Sequence, residues 1–76
     1  MSAEVPEKVK RLFILFKKAV EEERKAQRMY EDAMLLCEDA ELAKILETFR
    51  KQEIHHEEVI TQQYNHLRKG YGMESE

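Results

Sequence analysis

Seventy-six residues allow one domain at most, and a domain of that size buries only about 60% of the surface its unfolded chain exposes. The single cysteine, Cys37, excludes an internal disulfide, so the chain is expected to rely on a metal or on self-association. With 38% charged residues, two glycines, one proline and a net charge of −3 from interspersed signs, the composition favours helix and lacks the basic stripe of a nucleic-acid binder.

No apolar run approaches the roughly 20 residues needed to cross a bilayer, so no membrane association is expected. Hydrophobic residues make up 42% of the chain, which argues against disorder. One thiol and no signal-like N-terminus predict a reducing, cytoplasmic location.

The first predicted element is a helix over about 6–37. Pro6 suits its first turn, where a missing N–H costs nothing. Val9, Phe13, Phe16, Val20, Glu23, Gln27, Tyr30, Met34 and Cys37 then recur at alternating gaps of three and four, the mark of one helical face. The stripe is apolar at both ends and polar in the middle. A turn is expected at about 38–39, with Asp39 as the N-cap of the second helix. No glycine or proline marks this break, and one continuous helix is the competing reading.

The second helix is expected over about 40–69, and a flexible tail over 70–76. The helix carries a stripe of Leu42, Leu46, Phe49, Glu53, His56, Ile60, Gln63 and Leu67, again polar in the middle. Gly70 provides a stop, and Arg68 and Lys69 suit a helix C-terminus. The fold class expected is therefore all-α: an antiparallel two-helix hairpin, residues 1–76, that dimerises into a four-helix bundle. Two helices cannot enclose both of their apolar stripes, whereas four can.

Folding the hairpin brings Glu23 level with Glu53 and His56. Charged groups in an apolar seam are costly unless paired or metal-bound. Glu53 and His56 are three residues apart, about 60° around the helix and about 4.5 Å along it, so both reach one ion. Carboxylates with one imidazole suit Fe(II) or Mn(II). Di-iron bundles take a Glu from each of two helices and a Glu-x-x-His from each of the other two. This hairpin holds one of each, hence half a site, and a homodimer would complete it. Tyr30, two turns beyond Glu23, is expected to hydrogen-bond and orient a ligand carboxylate.

Plainer roles compete with these. Glu23, Glu53 and His56 also suit a metal-free salt-bridged network that fixes register, or a structural site for zinc or manganese. His55 points about 100° away from His56 and reads as solvated, as does His66. Glu57 reads as a solvated i,i+4 partner of Glu53, Gln27 and Gln63 as cross-bundle hydrogen bonders, Cys37 as a small buried hydrophobe, and Phe13, Phe16 and Phe49 as core.

The combination of Glu23, Tyr30 and Glu53-Ile54-His55-His56 resembles the ferritin-like/rubrerythrin superfamily. Its spacing, with the run Asp39-Ala40-Glu41-Leu42-Ala43-Lys44-Ile45-Leu46, is similar to encapsulated ferritins over roughly residues 20–67. The resemblance implies a two-helix ferroxidase that dimerises around a di-iron centre, assembles further into rings and works inside an encapsulin shell. It implies iron as cofactor, with manganese or zinc as substitutes, metal ligands Glu23, Glu53 and His56, and oxidation of Fe(II) to Fe(III). Glu22 fits the family's additional acidic surface site, while Lys25 and Met29 depart from it. The tail from Gly70 to Glu76 lacks the small and aliphatic character of a shell-docking peptide. A rubrerythrin-like peroxide reductase and a non-catalytic, metal-stabilised oligomerisation module are the alternatives.

Overall fold

The computed structural model describes residues 5–72. The last residues of the expected tail, 73–76, lie outside the described residues. Helix α1 spans Glu7–Leu36 and helix α2 spans Ala40–Gly70, and the two pack against each other as an antiparallel hairpin. No strand occurs among the described residues. The described residues form a rod of 59 × 18 × 16 Å. No helix among them is long and apolar enough to cross a membrane.

The helix ends follow from local chemistry. Pro6 stands just before α1 with φ −57° and ψ 149°, and its carbonyl accepts from the N–H groups of Val9 and Lys10 at 3.0 Å each. The break falls at Cys37–Asp39, where Cys37 and Asp39 are both extended. Asp39 Oδ1 accepts from the N–H groups of Glu41 at 2.9 Å and Leu42 at 3.2 Å, satisfying two of the donors that open α2. At the other end, Arg68 and Lys69 place positive charge in the last turn of α2. Gly72 adopts φ 68°, a left-handed conformation that glycine takes without a steric penalty.

The α1 stripe packs as its periodicity predicts: Phe13 is buried, and Val9, Phe16, Val20, Glu23, Gln27, Tyr30, Met34 and Cys37 are half-buried. At the open end of the hairpin, Tyr64 meets Phe13 and Phe16 edge-on, with ring centroids 5.6 and 6.1 Å apart. Such pairs add about 1 kcal/mol each beyond the area they bury.

The α2 stripe is rotated from the expected one. Leu46, Glu53, Ile60 and Leu67 are half-buried as expected, but Leu42, Phe49, His56 and Gln63 are exposed. Ala43, Arg50, Glu57 and Tyr64, one residue further along, take the protected places instead. Two interleaved frames share Leu46, Glu53, Ile60 and Leu67. The frame that meets α1 is the one whose charged members find partners there. Arg50 reaches Glu31 at 3.6 Å, and Glu57 receives Arg24 at 2.9 Å.

The displaced frame forms a second face. Leu42, Ile45, Phe49, His56 and Val59 recur at helical spacing along α2, and all are exposed. On α1, Leu12, Leu15, Ala19, Glu22, Ala26, Met29, Ala33 and Leu36 form a matching stripe, in which the three alanines are half-buried and the larger residues are exposed. Leu36 is 84% exposed. Each stripe lies one residue back from the inter-helix seam. In an antiparallel pair, that same offset turns both stripes to the same side of the hairpin. Phe13 is the one buried hydrophobic residue among the described residues, so most apolar side chains keep substantial contact with solvent.

Candidate metal centre

Midway along the rod, Glu23 of α1 meets Glu53 and His56 of α2. One ligand atom from each of the three lies within 4.8 Å of the others. His56 Nδ1 is 3.1 Å from Glu53 Oε1 and 3.5 Å from Glu23 Oε1. The one-turn spacing of Glu53 and His56 produces the first contact, and the antiparallel register brings Glu23 to the second. The carboxylates are largely covered, with side chains 22% and 21% exposed, whereas the imidazole is 56% exposed. His56 therefore does not sit in a closed seam. It stands at the edge of the exposed apolar face, with the carboxylates behind it.

The two carboxyls perturb each other in opposite directions. Glu23's carboxyl is pushed above its ordinary value, first by its hydrogen-bonding to Glu53, then by burial and by repulsion from the neighbouring carboxylate. Glu53 moves the opposite way, lowered chiefly by the same hydrogen bond and further by His56. Glu23 Oε1 is buried and has no hydrogen-bond partner. His56 Nδ1 comes within ion-pairing reach of that oxygen without completing a bond. Among the described residues, no lysine or arginine pairs with Glu23 or Glu53.

A buried oxygen that lacks a donor is costly, and a cation would satisfy it. Two carboxylates and one imidazole form a donor set suited to a borderline-hard divalent ion such as Fe(II) or Mn(II), with Zn(II) also able to use it. The residues present therefore fit a metal, and they leave most of its coordination sphere to be filled from outside this chain.

Most of the other residues that the sequence marks lie away from this cluster. Tyr30 packs its ring on Phe49, centroids 5.6 Å apart, and its hydroxyl makes no hydrogen bond to Glu23, Glu53 or His56. Phe49 is 41% exposed rather than core. Cys37 is half-buried at the turn, where its Sγ donates to the Asp39 carbonyl at 3.2 Å. His55 and His66 are exposed. Glu22 pairs with Lys25 at 3.4 Å on the surface. Gln63 is exposed and does not bridge the helices within the hairpin.

Glu57 departs most from expectation. It is not a solvated neighbour of Glu53 but half-buried against α1. Its Oε1 accepts from Gln27 Nε2 at 2.7 Å and its Oε2 from Arg24 Nε at 2.9 Å. These donors hold its carboxyl below the ordinary range, Gln27 most and Arg24 next. The signal for this pairing is present in the sequence: Arg24 and Glu31 on α1 are spaced by seven residues, as are Arg50 and Glu57 on α2, so one antiparallel register pairs opposite charges twice.

No protein-family model matches the chain, and neither a curated protein nor a solved structure matches it. The functional reading therefore rests on these side chains.

Proposed function

We propose that the chain is a ferritin-like di-iron carboxylate oxidoreductase that oxidises Fe(II) to Fe(III) at a site shared between two copies. The observation that carries this is the Glu23–Glu53–His56 cluster, with one carboxylate oxygen left without a partner and the imidazole turned to the exposed apolar face. Three ligands are too few for a pair of irons. A second hairpin laid on that face by a two-fold axis doubles them to six, the number the di-iron bundle recipe requires.

In that assembly Glu23, Glu53 and His56 of each copy would hold the ions. Fe(II) bound there would be the electron donor, with O₂ or peroxide as the acceptor. The chain's own part is to hold the carboxylates, keep one face of each ion accessible and exclude bulk water with the surrounding apolar residues. Leu42, Ile45, Phe49 and Val59 with Leu12, Leu15, Met29 and Leu36 would supply the covered face. Burial of such a face supports the homodimer on energetic grounds as well, at about 25 cal/mol per Å² of apolar surface removed from water. Further assembly into rings and residence in an encapsulin shell belong to the same reading, and they rest on the family resemblance alone.

The test is anaerobic addition of Fe(II) followed by air. The expected result is about one iron per chain and a ferric absorbance that grows on oxygenation. Glu53→Ala and His56→Ala should remove both, and Cys37→Ala should leave both intact. A non-catalytic oligomerisation module is favoured instead if metal binds and strengthens the dimer but the Fe(II) is not oxidised faster than in buffer.

A further inference from the structure

Directly behind the candidate metal centre, on the side away from His56, lies Arg24. It is the residue after Glu23 in sequence, and its side chain is 58% exposed, so what holds it in place is its ion pair with Glu57 rather than packing. It meets α2 at Glu57, which lies one helical turn along the same face from Glu53. A guanidinium is the natural bidentate partner of a carboxylate and is never deprotonated in a protein. Released from Glu57, it would compete with a divalent ion for the carboxylate one turn away, Glu53. In the structure it does not take Glu53 or Glu23. Its Nε is bound by Glu57 Oε2 at 2.9 Å, while Gln27 holds the other oxygen of Glu57 at 2.7 Å.

We infer that Glu57 is a positioning residue that keeps the Arg24 guanidinium off the Glu23 and Glu53 carboxylates, so that this pair stays available to a divalent cation. The inference rests on the metal-centre reading above. Gln27 has a defined part in it: by fixing Oε1, it orients Glu57 so that Oε2 faces Arg24. Glu57 itself does not join the cluster of candidate ligands. It acts on metal binding through Arg24, as a carboxylate that satisfies the arginine in place of the ligands. The two charges thus cancel one turn away from the candidate ligands, and the Arg24 guanidinium places no donor on the Glu23–Glu53 pair.

The experiment is titration of the metal-free, full-length protein with Mn(II), free ion being followed by electron paramagnetic resonance. Glu57→Gln releases Arg24 and should weaken Mn(II) binding about tenfold, the scale of one unit charge redirected within a few ångströms at a partly exposed site. Arg24→Gln alone should bind at least as tightly as the parent. The double variant, Arg24→Gln with Glu57→Gln, should recover parental affinity, because nothing then competes for the ligands. A merely structural role for the ion pair predicts the opposite: Arg24→Gln as weak as Glu57→Gln, and no recovery in the double variant. That outcome, or Mn(II) binding unchanged in Glu57→Gln, overturns the inference while leaving the metal centre standing. A parent protein that takes up no Mn(II) overturns both.

Discussion

His56 Nδ1 stands 3.1 Å from Glu53 Oε1, one turn earlier on the same helix, and together they face Glu23 across the hairpin. Nothing about this contact requires a partner chain. What the hairpin lacks is enough donors to complete the sphere of an ion, and a cover for the face on which His56 opens.

Replacing Glu23 should separate stability from function. Its raised pKa means that its proton stabilises the metal-free fold at low pH, and that this stabilisation is lost as pH rises from the ordinary value of 4.5 through the raised one. When ionised, it is repelled by the neighbouring Glu53 carboxylate. Glu23→Gln should therefore raise the thermal midpoint of the metal-free protein by about 4 °C and abolish Fe(II) and Mn(II) binding. A variant that melts lower than the parent at pH 7 without metal would contradict the repulsion described here.

Glu57 predicts the reverse pH dependence. Its folded-state pKa lies below the ordinary 4.5, so its contribution is complete above 4.5 and disappears as pH falls through the lowered value. Thermal melts between pH 7 and pH 3 should show the hairpin weakening on the acid side. Glu57→Gln should flatten that slope, and an unchanged slope would show that the carboxylate does not hold the helices together.

The exposed face is tested by charge. Ile45→Lys or Phe49→Lys places a cation where the second copy would lie, and either should weaken the dimer at least about tenfold in sedimentation velocity. Ile14→Lys, on a different stripe of α1, is the control and should leave assembly intact. Equal effects from all three would mean that the interface lies elsewhere.

If the ions take ligands from both chains, as proposed, removing metal should loosen the assembly. The dimer is expected to dissociate at a higher protein concentration in chelator than with Mn(II). Identical sedimentation in the two conditions would uncouple metal from assembly.

The turn supplies a local prediction. Asp39→Ala removes the acceptor used by the Glu41 and Leu42 N–H groups and should cost about 1 kcal/mol, seen as a lower midpoint without loss of metal binding.

The sequence carried the first helix more fully than the second. Val9 to Cys37 read as one stripe because no rival stripe of large apolar residues runs continuously past its polar centre. In α2 the alternation of three and four fits two frames. Leu42, Phe49 and His56 look like the inner frame when helices are judged one at a time by hydrophobicity. The inner frame is set instead by Arg50 and Glu57, whose partners Glu31 and Arg24 are on the other helix. Cross-helix charge matching decides between the frames, and periodicity within one helix does not contain it. Glu53 keeps its place facing Glu23 because it belongs to both frames. His56 belongs to the outer frame alone and therefore opens on the exposed face.

With Phe13 the one buried hydrophobic residue among the described residues, the rod has little cohesion of its own, and this ties folding to abundance. If the second copy supplies most of the missing core, the folded fraction grows with protein concentration, as for any obligate dimer. Dilute chains would fray and hold no competent ligand set, whereas concentrated ones would gain structure and reactive capacity in the same step. Expression level would then act as a threshold, so that scattered single copies leave Fe(II) alone and oxidation starts only once enough chains have accumulated to meet.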